Sequence, residues 1–240
     1  MAREDLAEVP TLSGSLSADE RITAFLRGVY GWMGCGLAVT AATAWFIANS
    51  PSAIALVATN RVLLWGLMIA QLGIVVVLSA RVERMAASTA SLLFLAYAGL
   101  TGVTLSFVLV AYTGESVATT FIVTAGMFGA LAFYGTTTSR SLAGWGQFLF
   151  MGLIGVVIAS IVGLFWRSDG LQFMISFIGV IVFTGLAAYD AQRLRNMALT
   201  TSAGQIGSYT IVGALALYLD FVNLFLMLLR FTGNRRNDWR

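Results

Sequence analysis

The sequence predicts an all-α integral membrane protein with seven transmembrane helices. Apolar residues make up 58% of the 240-residue chain and charged residues only 10%, whereas soluble domains carry about 25% charged residues. The mean hydropathy of +0.85 leaves too little polar surface for a protein surrounded by water. Seven long stretches are continuously apolar rather than alternating, which predicts membrane-spanning helices and not a β-barrel.

Short polar segments separate the seven predicted spans. A helix needs about 20 apolar residues to cross a hydrocarbon core roughly 30 Å thick. Stretches that meet this length cover residues 22–48, 62–80, 88–112, 117–137, 145–165, 171–192 and 208–230. We predict one transmembrane domain over 21–232, with a polar, flexible tail over 1–20 and a short basic tail over 233–240.

The N-terminal tail lacks the basic start, short apolar core and small-residue cleavage site of a signal peptide. Glu20 follows Ser17 by three residues, which is the spacing of a capping box. The first helix is therefore predicted to start at this point.

The arginines give two cues to orientation, and these disagree. Cytoplasmic loops of membrane proteins carry an excess of basic residues. A cytoplasmic N-terminus places five loop arginines on the cytoplasmic side and two on the opposite side. However, an odd number of spans places the C-terminus on the opposite side of the membrane from the N-terminus. The arginines at 230, 235, 236 and 240 would then lie on the non-cytoplasmic side. From the loops we predict a cytoplasmic N-terminus, and the side of the C-terminus stays open. The absence of Lys suggests a GC-rich bacterial genome, so the predicted location is a bacterial inner membrane. A last segment that does not cross fully would remove the conflict.

Missing residue types exclude several classes of site. All 14 basic residues are Arg and there is no His, which excludes His-based catalysis and His metal sites. Cys35 is the one cysteine, so an intrachain disulfide and a Cys-cluster metal site are excluded. The arginines lie at the ends of spans rather than along one face, so nucleic acid is not a predicted partner. We expect neither a cofactor nor an enzymatic activity.

Two acidic residues lie inside the predicted spans. Asp190 is near the end of the sixth span and Asp220 is within the seventh. A charge at mid-membrane costs about 3 kcal/mol or more, so such residues usually face the bundle interior and mark an ion or proton path. Asn223 follows Asp220 on a small, polar helix face, and Arg193 follows Asp190 by three residues.

Whether the two aspartates meet depends on where the seventh helix begins. Spans six and seven run antiparallel, so positions at equal distance from their connecting loop face each other. A start near Thr210 would bring Asp220 to the level of Asp190. A start at Gln205 would place Asp220 about 20 Å from the loop, and then no direct pair is expected.

A facing pair of carboxyl groups has a specific chemistry. Two carboxylates in a low-dielectric site do not both stay ionised at low cost, so they share a proton. The protonated pair joins the helices, whereas the deprotonated pair repels, or recruits a cation or an Arg. Oxygen ligands suit hard cations such as Ca²⁺, and two acids alone make a transient site. The alternative is structural: each aspartate is neutral or pairs with Arg193 or Arg195, and fixes the helix register.

Two motifs resemble the Bax inhibitor-1 family, also called the transmembrane Bax inhibitor motif family. They are YDAQ at 189–192 and LYLDFVNLF at 217–225, and the likeness covers the chain after residue 20. It implies seven helices with the last one central among the other six. It also implies a pH-sensitive Ca²⁺ leak, controlled by an aspartate pair that maps onto Asp190 and Asp220. Arg81, at the end of the second span, would be the competing partner of Asp190. Gln71 stands where some relatives carry a glutamate, which argues against a cation site that uses that carboxylate.

The leading hypothesis is therefore a pH-gated leak in which Ca²⁺ is the permeant ion and the bilayer is the solvent. The runner-up is a regulator of another membrane protein, since the resemblance also includes a modulator of a membrane-bound AAA protease. The acidic tail over 1–20 would then be the docking segment. A third class, an intramembrane aspartyl protease, is disfavoured because Asp220 lies between Leu219 and Phe221 and not in a GxGD motif.

Overall fold

The computed structural model describes residues 17–166, 168–202 and 204–236. Its helices are α1 (Ala18–Ala48), α2 (Pro51–Thr59), α3 (Arg61–Arg81), α4 (Ala87–Ala111), α5 (Gly114–Thr137), α6 (Ala143–Phe165), α7 (Asp169–Thr200) and α8 (Ile206–Thr232), with a 3₁₀ turn at Val82–Arg84. Of these described helices, all except α2 are long and apolar enough to span a membrane. The predicted fold class, all-α with seven transmembrane helices, is confirmed.

The first helix starts with the predicted capping box. The Ser17 backbone N–H donates to Glu20 Oε2 at 2.8 Å, and the Glu20 N–H donates to Ser17 Oγ at 3.3 Å. These two bonds satisfy backbone donors that a helix start leaves without an intrahelical partner. α1 therefore begins before the domain boundary predicted at residue 21. The rest of the predicted tail, residues 1–16, lies outside the described residues.

Two connecting stretches outside the predicted spans are helical. α2 fills the connection between the first two spans and starts with Pro51 at a position that proline favours. α7 continues eight residues past the predicted end at residue 192, to Thr200. Residues 193–200 are too polar to be recognised by hydropathy as part of the span, but Arg, Leu, Met and Ala are all good helix formers. α7 therefore has a polar end that extends beyond its apolar span, which is why the predicted and observed ends differ.

The start of the predicted C-terminal tail is bonded to the turn between α4 and α5. The Thr113 N–H donates to the Asn234 carbonyl at 3.1 Å, and the Arg236 N–H donates to the Ala111 carbonyl at 3.0 Å. The Asn234 N–H donates to Ser116 Oγ at 2.9 Å. α8 therefore runs the full height of the bundle, and the incompletely crossing last segment that would have reconciled the arginine cues is not found.

The bundle has two ends, which we call the N-terminal face and the C-terminal face. At the N-terminal face, Arg21 Nη2 donates to the Thr201 carbonyl at 3.3 Å and so joins the start of α1 to the end of α7. At the C-terminal face, α8 ends beside the α4–α5 turn. Exposed aromatic side chains lie near both ends, as expected for membrane interfaces: Trp45, Trp65, Trp145, Trp166 and Tyr134.

α8 is the most deeply buried helix of the described structure. Fifteen of its 27 residues are buried, compared with two of the 21 residues of α3. It packs against α1, α4, α5 and α7, while α3 packs on α4 and α6 packs on α7. The side chains on α8 are therefore the ones shielded best from lipid. Its position at the centre of all six other spans stays a prediction.

Candidate functional site

A polar cavity of about 610 Å³ opens between α3, α6, α7 and α8. Most of the surface of the membrane-spanning helices is apolar. A cavity between these helices that is lined by polar residues is therefore a candidate functional site. Its charged lining residues among those described are Asp190, Asp220 and Arg193. Ser79, Gln147, Tyr189 and Asn223 are the uncharged polar residues around them.

The Asp190 and Asp220 side chains line this cavity together, one from α7 and one from α8. Asp220 is only 6% exposed, and the Asp190 side chain is 16% exposed. No N–H or O–H group in the described part of the chain donates to Asp220 Oδ2. Two neighbouring carboxylates repel in a site of low dielectric, which is the physical basis for the predicted shared proton. The structure thus brings both predicted aspartates to one cavity, and the shared proton stays a prediction.

The two aspartates reach one cavity by a different geometry from the one expected. α8 starts at Ile206, close to the start for which no pair is predicted, so Asp220 lies about 21 Å from the helix start. However, α7 extends to Thr200, which places Asp190 about 15 Å from its own end. Both aspartates are therefore deep in their helices. A late start of α8 is not needed to bring the two aspartates to one cavity, because α7 ends at Thr200 and not near residue 192 as the prediction assumed.

Arg193 is the ionic partner of the pair in this structure. Its Nη1 atom lies 4.0 Å from Asp190 Oδ1, and its side chain is 61% exposed. An ion pair this open to solvent contributes little stability. Arg81 is exposed and lines a separate cavity near the N-terminal face together with Glu83 and Arg84. The structure does not place Arg81 beside Asp190, although Ser79 of the same helix lines the polar cavity.

Two amide side chains shape the site. Asn223 Nδ2 donates to the Leu219 carbonyl at 2.8 Å, so its oxygen remains as an acceptor at the cavity. Gln192 accepts from the Leu142 N–H at 2.7 Å and donates to the Arg140 carbonyl at 2.9 Å. It therefore ties the α5–α6 loop to α7 two residues after Asp190. In the sequence, Gln192 stands out only as the last residue of the YDAQ motif. Its position two residues after Asp190 is the sequence signal that could have indicated a role at this site.

A second polar cluster joins four helices near the middle of the bundle. The hydroxyl groups of Tyr218 and Thr40 are 2.6 Å apart, and Thr40 donates to the Ala98 carbonyl at 2.9 Å. Gln71 Nε2 donates to Thr101 Oγ1 at 3.1 Å. Buried hydrogen bonds of this kind fix the relative positions of membrane helices. Gln71 therefore has a structural partner, and in the described residues no group of three or more acids, His or Cys gathers around it or elsewhere.

The spans, the lipid-exposed surface and the buried carboxyl pair define the class of protein. The chain is an integral, multi-pass α-helical membrane protein with a polar site between its last two spans. Residues 22–237 match the family model described as inhibitor of apoptosis-promoting Bax1. The chain belongs to the Bax inhibitor family, as the resemblance predicts.

Bacterial relatives match over nearly the whole chain. The inner membrane protein YbhL of Escherichia coli (strain K12) is 53% identical over 215 residues, which cover 88% of this chain and 92% of that protein. A protein of Borreliella burgdorferi is 43% identical, with 89% of this chain and 93% of the relative covered. Protein RP147 of Rickettsia prowazekii is 41% identical, with coverage of 95% and 96%.

Proposed function

We propose that this protein is a pH-sensitive cation leak, with Ca²⁺ as permeant ion, whose latch is the Asp190–Asp220 pair. The observation that supports the proposal is that two carboxyl groups from adjacent membrane-spanning helices line one cavity of about 610 Å³. We further propose a bacterial inner membrane location with a cytoplasmic N-terminus. The inner membrane location follows the name of the Escherichia coli relative, and the cytoplasmic N-terminus follows the loop arginines.

The latch works through a shared proton. With the proton, the Asp190–Asp220 hydrogen bond joins α7 to α8. Without it, two adjacent anions repel, and Asp190 turns to a positive partner. Arg193 is already 4.0 Å away. Arg81 reaches Asp190 only if the end of α3 moves, so we assign it to the open state.

The ligands available to a passing cation are oxygens. Deprotonated Asp190 and Asp220 supply carboxylate oxygens, and Asn223 and Gln147 line the same cavity with amide oxygens. Ca²⁺ takes six to eight oxygen ligands in flexible geometry, so this set must be completed by water. Such a site holds the ion briefly, which suits passage rather than storage. On this proposal the protein is not an enzyme and needs no resident cofactor.

On this proposal we assign the described conformation to the closed state. Between the aspartates and the C-terminal face, α8 presents a tightly packed apolar surface that includes Leu224, Met227 and Leu228. Met227 fills the space beside Gly179 of α7, where an added Cβ would lie 2.8 Å from its Cγ atom. Ions reach the C-terminal face only when α7 and α8 separate along this seam.

The test is Ca²⁺ flux into dye-loaded proteoliposomes between about pH 5 and 8. Wild type is compared with Asp190→Asn, Asp220→Asn and the control Asp169→Asn, which changes an exposed acid at the start of α7. We expect a pH-dependent flux that both latch variants alter and the control leaves unchanged. Wild-type vesicles no leakier than protein-free vesicles at every pH would refute the leak.

A role as regulator of another membrane protein is the second candidate. It is favoured by the hydrogen bond from Arg21 to the Thr201 carbonyl, which joins the beginning of α1 to the end of the helix that carries Asp190. A partner that binds the acidic residues before α1 would therefore act next to α7. Deleting residues 1–16 should abolish co-purification of such a partner and leave Ca²⁺ flux intact.

A further inference from the structure

An apolar groove of about 320 Å³ lies on the opposite half of the molecule from the aspartate cavity. Its floor is α8 at Phe221, Val222 and Phe225, and its walls are α1, α4 and α5. The ring of Phe121 from α5 packs edge-on against Phe221, with centroids 5.4 Å apart. The groove therefore leads between α1, α4 and α5 to buried side chains of α8.

The groove is open towards the bilayer. Trp45 and Phe121, on its opposite walls, are 65% and 43% exposed. Thr40 is its polar lining residue among those described, and its hydroxyl is already bonded to Ala98 and Tyr218. Only an apolar chain fits such a surface at membrane depth. The volume is at the lower end of the range of about 300–1,000 Å³ seen for ligand sites.

Positive charge is anchored at the end of the groove. Leu109 and Val117 line the part nearest to the C-terminal face, and the α4–α5 turn follows directly. Arg235 forms an antiparallel bridge with Tyr112 of that turn, and the Arg236 N–H donates to the Ala111 carbonyl at 3.0 Å.

Backbone bonds thus hold both arginines at the turn and leave their exposed side chains available. Glu115, the acid at the start of α5, makes no ion pair with either arginine in the described structure. A basic pair at a membrane interface attracts anionic lipid headgroups.

We propose that the groove holds one acyl chain of an anionic glycerophospholipid, with the lipid phosphate bound by Arg235 and Arg236. The site is separate from the aspartate pair and does not depend on the proposed leak. The acyl chain would fill the gap between α1 and α5 and lie on the α8 side chains that form the floor of the groove.

The test is lipid retention by the full-length protein in mild detergent, measured by native mass spectrometry with phosphatidylglycerol or phosphatidylcholine. Wild type should retain one phosphatidylglycerol with a preference of about tenfold to thirtyfold over phosphatidylcholine, as expected for two arginines at a membrane surface. Arg235→Gln with Arg236→Gln should remove this preference, because the backbone bonds stay and the charges do not. Arg61→Gln, at an exposed position on the same face, is the matched control and should keep it.

A second variant tests the groove itself. Ala41 lines the groove, so Ala41→Trp should fill it and lower retention of both lipids by about the same factor. Ala42→Trp is the control, since Ala42 is exposed and is not among the groove residues. Equal binding of the two lipids by wild type, or unchanged binding by Ala41→Trp in a protein that elutes and melts like wild type, would overturn the proposal.

Discussion

Replacing Asp220 by Asn should hold the protein closed at every pH. The side-chain amide introduced by Asp220→Asn can donate to ionised Asp190, so the link between α7 and α8 no longer depends on a shared proton. In wild type, loss of that proton would leave two negative charges at the same cavity. Two unit charges about 4 Å apart repel by about 4 kcal/mol at an effective dielectric constant of about 20.

This repulsion sets the size and the sign of the expected effect. Since about 1.4 kcal/mol is a factor of ten, 4 kcal/mol shifts the ratio of open to closed protein by roughly three powers of ten. The repulsion exists only after the proton is lost, so wild-type flux should rise with increasing pH. Arg193 offsets little of it, because this side chain is 61% exposed and its charge is screened.

The assay is the initial rate of Ca²⁺ entry into proteoliposomes, normalised to reconstituted protein. Asp220→Asn should give the low-pH wild-type rate across the range, and Asp190→Asn should do the same because it supplies the same donor from α7. Asp169→Asn should retain the full wild-type profile. A wild-type slope that persists in Asp220→Asn would refute the shared-proton latch, even if the protein conducts Ca²⁺.

Two further predictions concern packing. Gly135→Ala should lower the free energy of unfolding by about 1–3 kcal/mol, because a Cβ there overlaps the backbone carbonyl of Ala188 in α7. The control is Gly126→Ala, which places its Cβ in open space and should be neutral or stabilising. Thermal melting in detergent measures both, and equal melting temperatures would contradict the close approach of α5 to α7. Met227→Ala should raise Ca²⁺ flux at low pH by opening the α7–α8 seam, whereas Met174→Ala, at an exposed position on α7, should not. A low-pH rate unchanged by Met227→Ala would place the closed barrier elsewhere.

The membrane spans were predictable from the sequence because hydropathy over about 20 residues reports directly on burial in lipid. The end of α7 was not, since residues 193–200 are helical but polar, and hydropathy does not distinguish a polar helix from a loop. This one boundary decided whether Asp190 and Asp220 were expected to meet. The capping box at Ser17 was readable because it depends on two residues at a fixed spacing.

The partners of the aspartates were predictable only in part. Arg193 follows from helical spacing, because residues three apart share a helix face. The position of Arg81 depends on how α3 packs, and α3 has few buried residues that would reveal its neighbours in the sequence. The C-terminal segment over 233–240 was predicted as a short basic tail, and no local sequence pattern indicates that its backbone bonds to the α4–α5 turn.

The extension of α7 has a mechanical consequence. A helix is a stiff rod, and the ten residues from Asp190 to Thr200 span about 15 Å. A displacement applied at the Thr200 end therefore moves the Asp190 carboxyl group as part of the same lever. The hydrogen bond from Arg21 to the Thr201 carbonyl restrains this end of α7. We therefore expect a ligand or protein that breaks this bond to alter the aspartate pair without contacting the cavity.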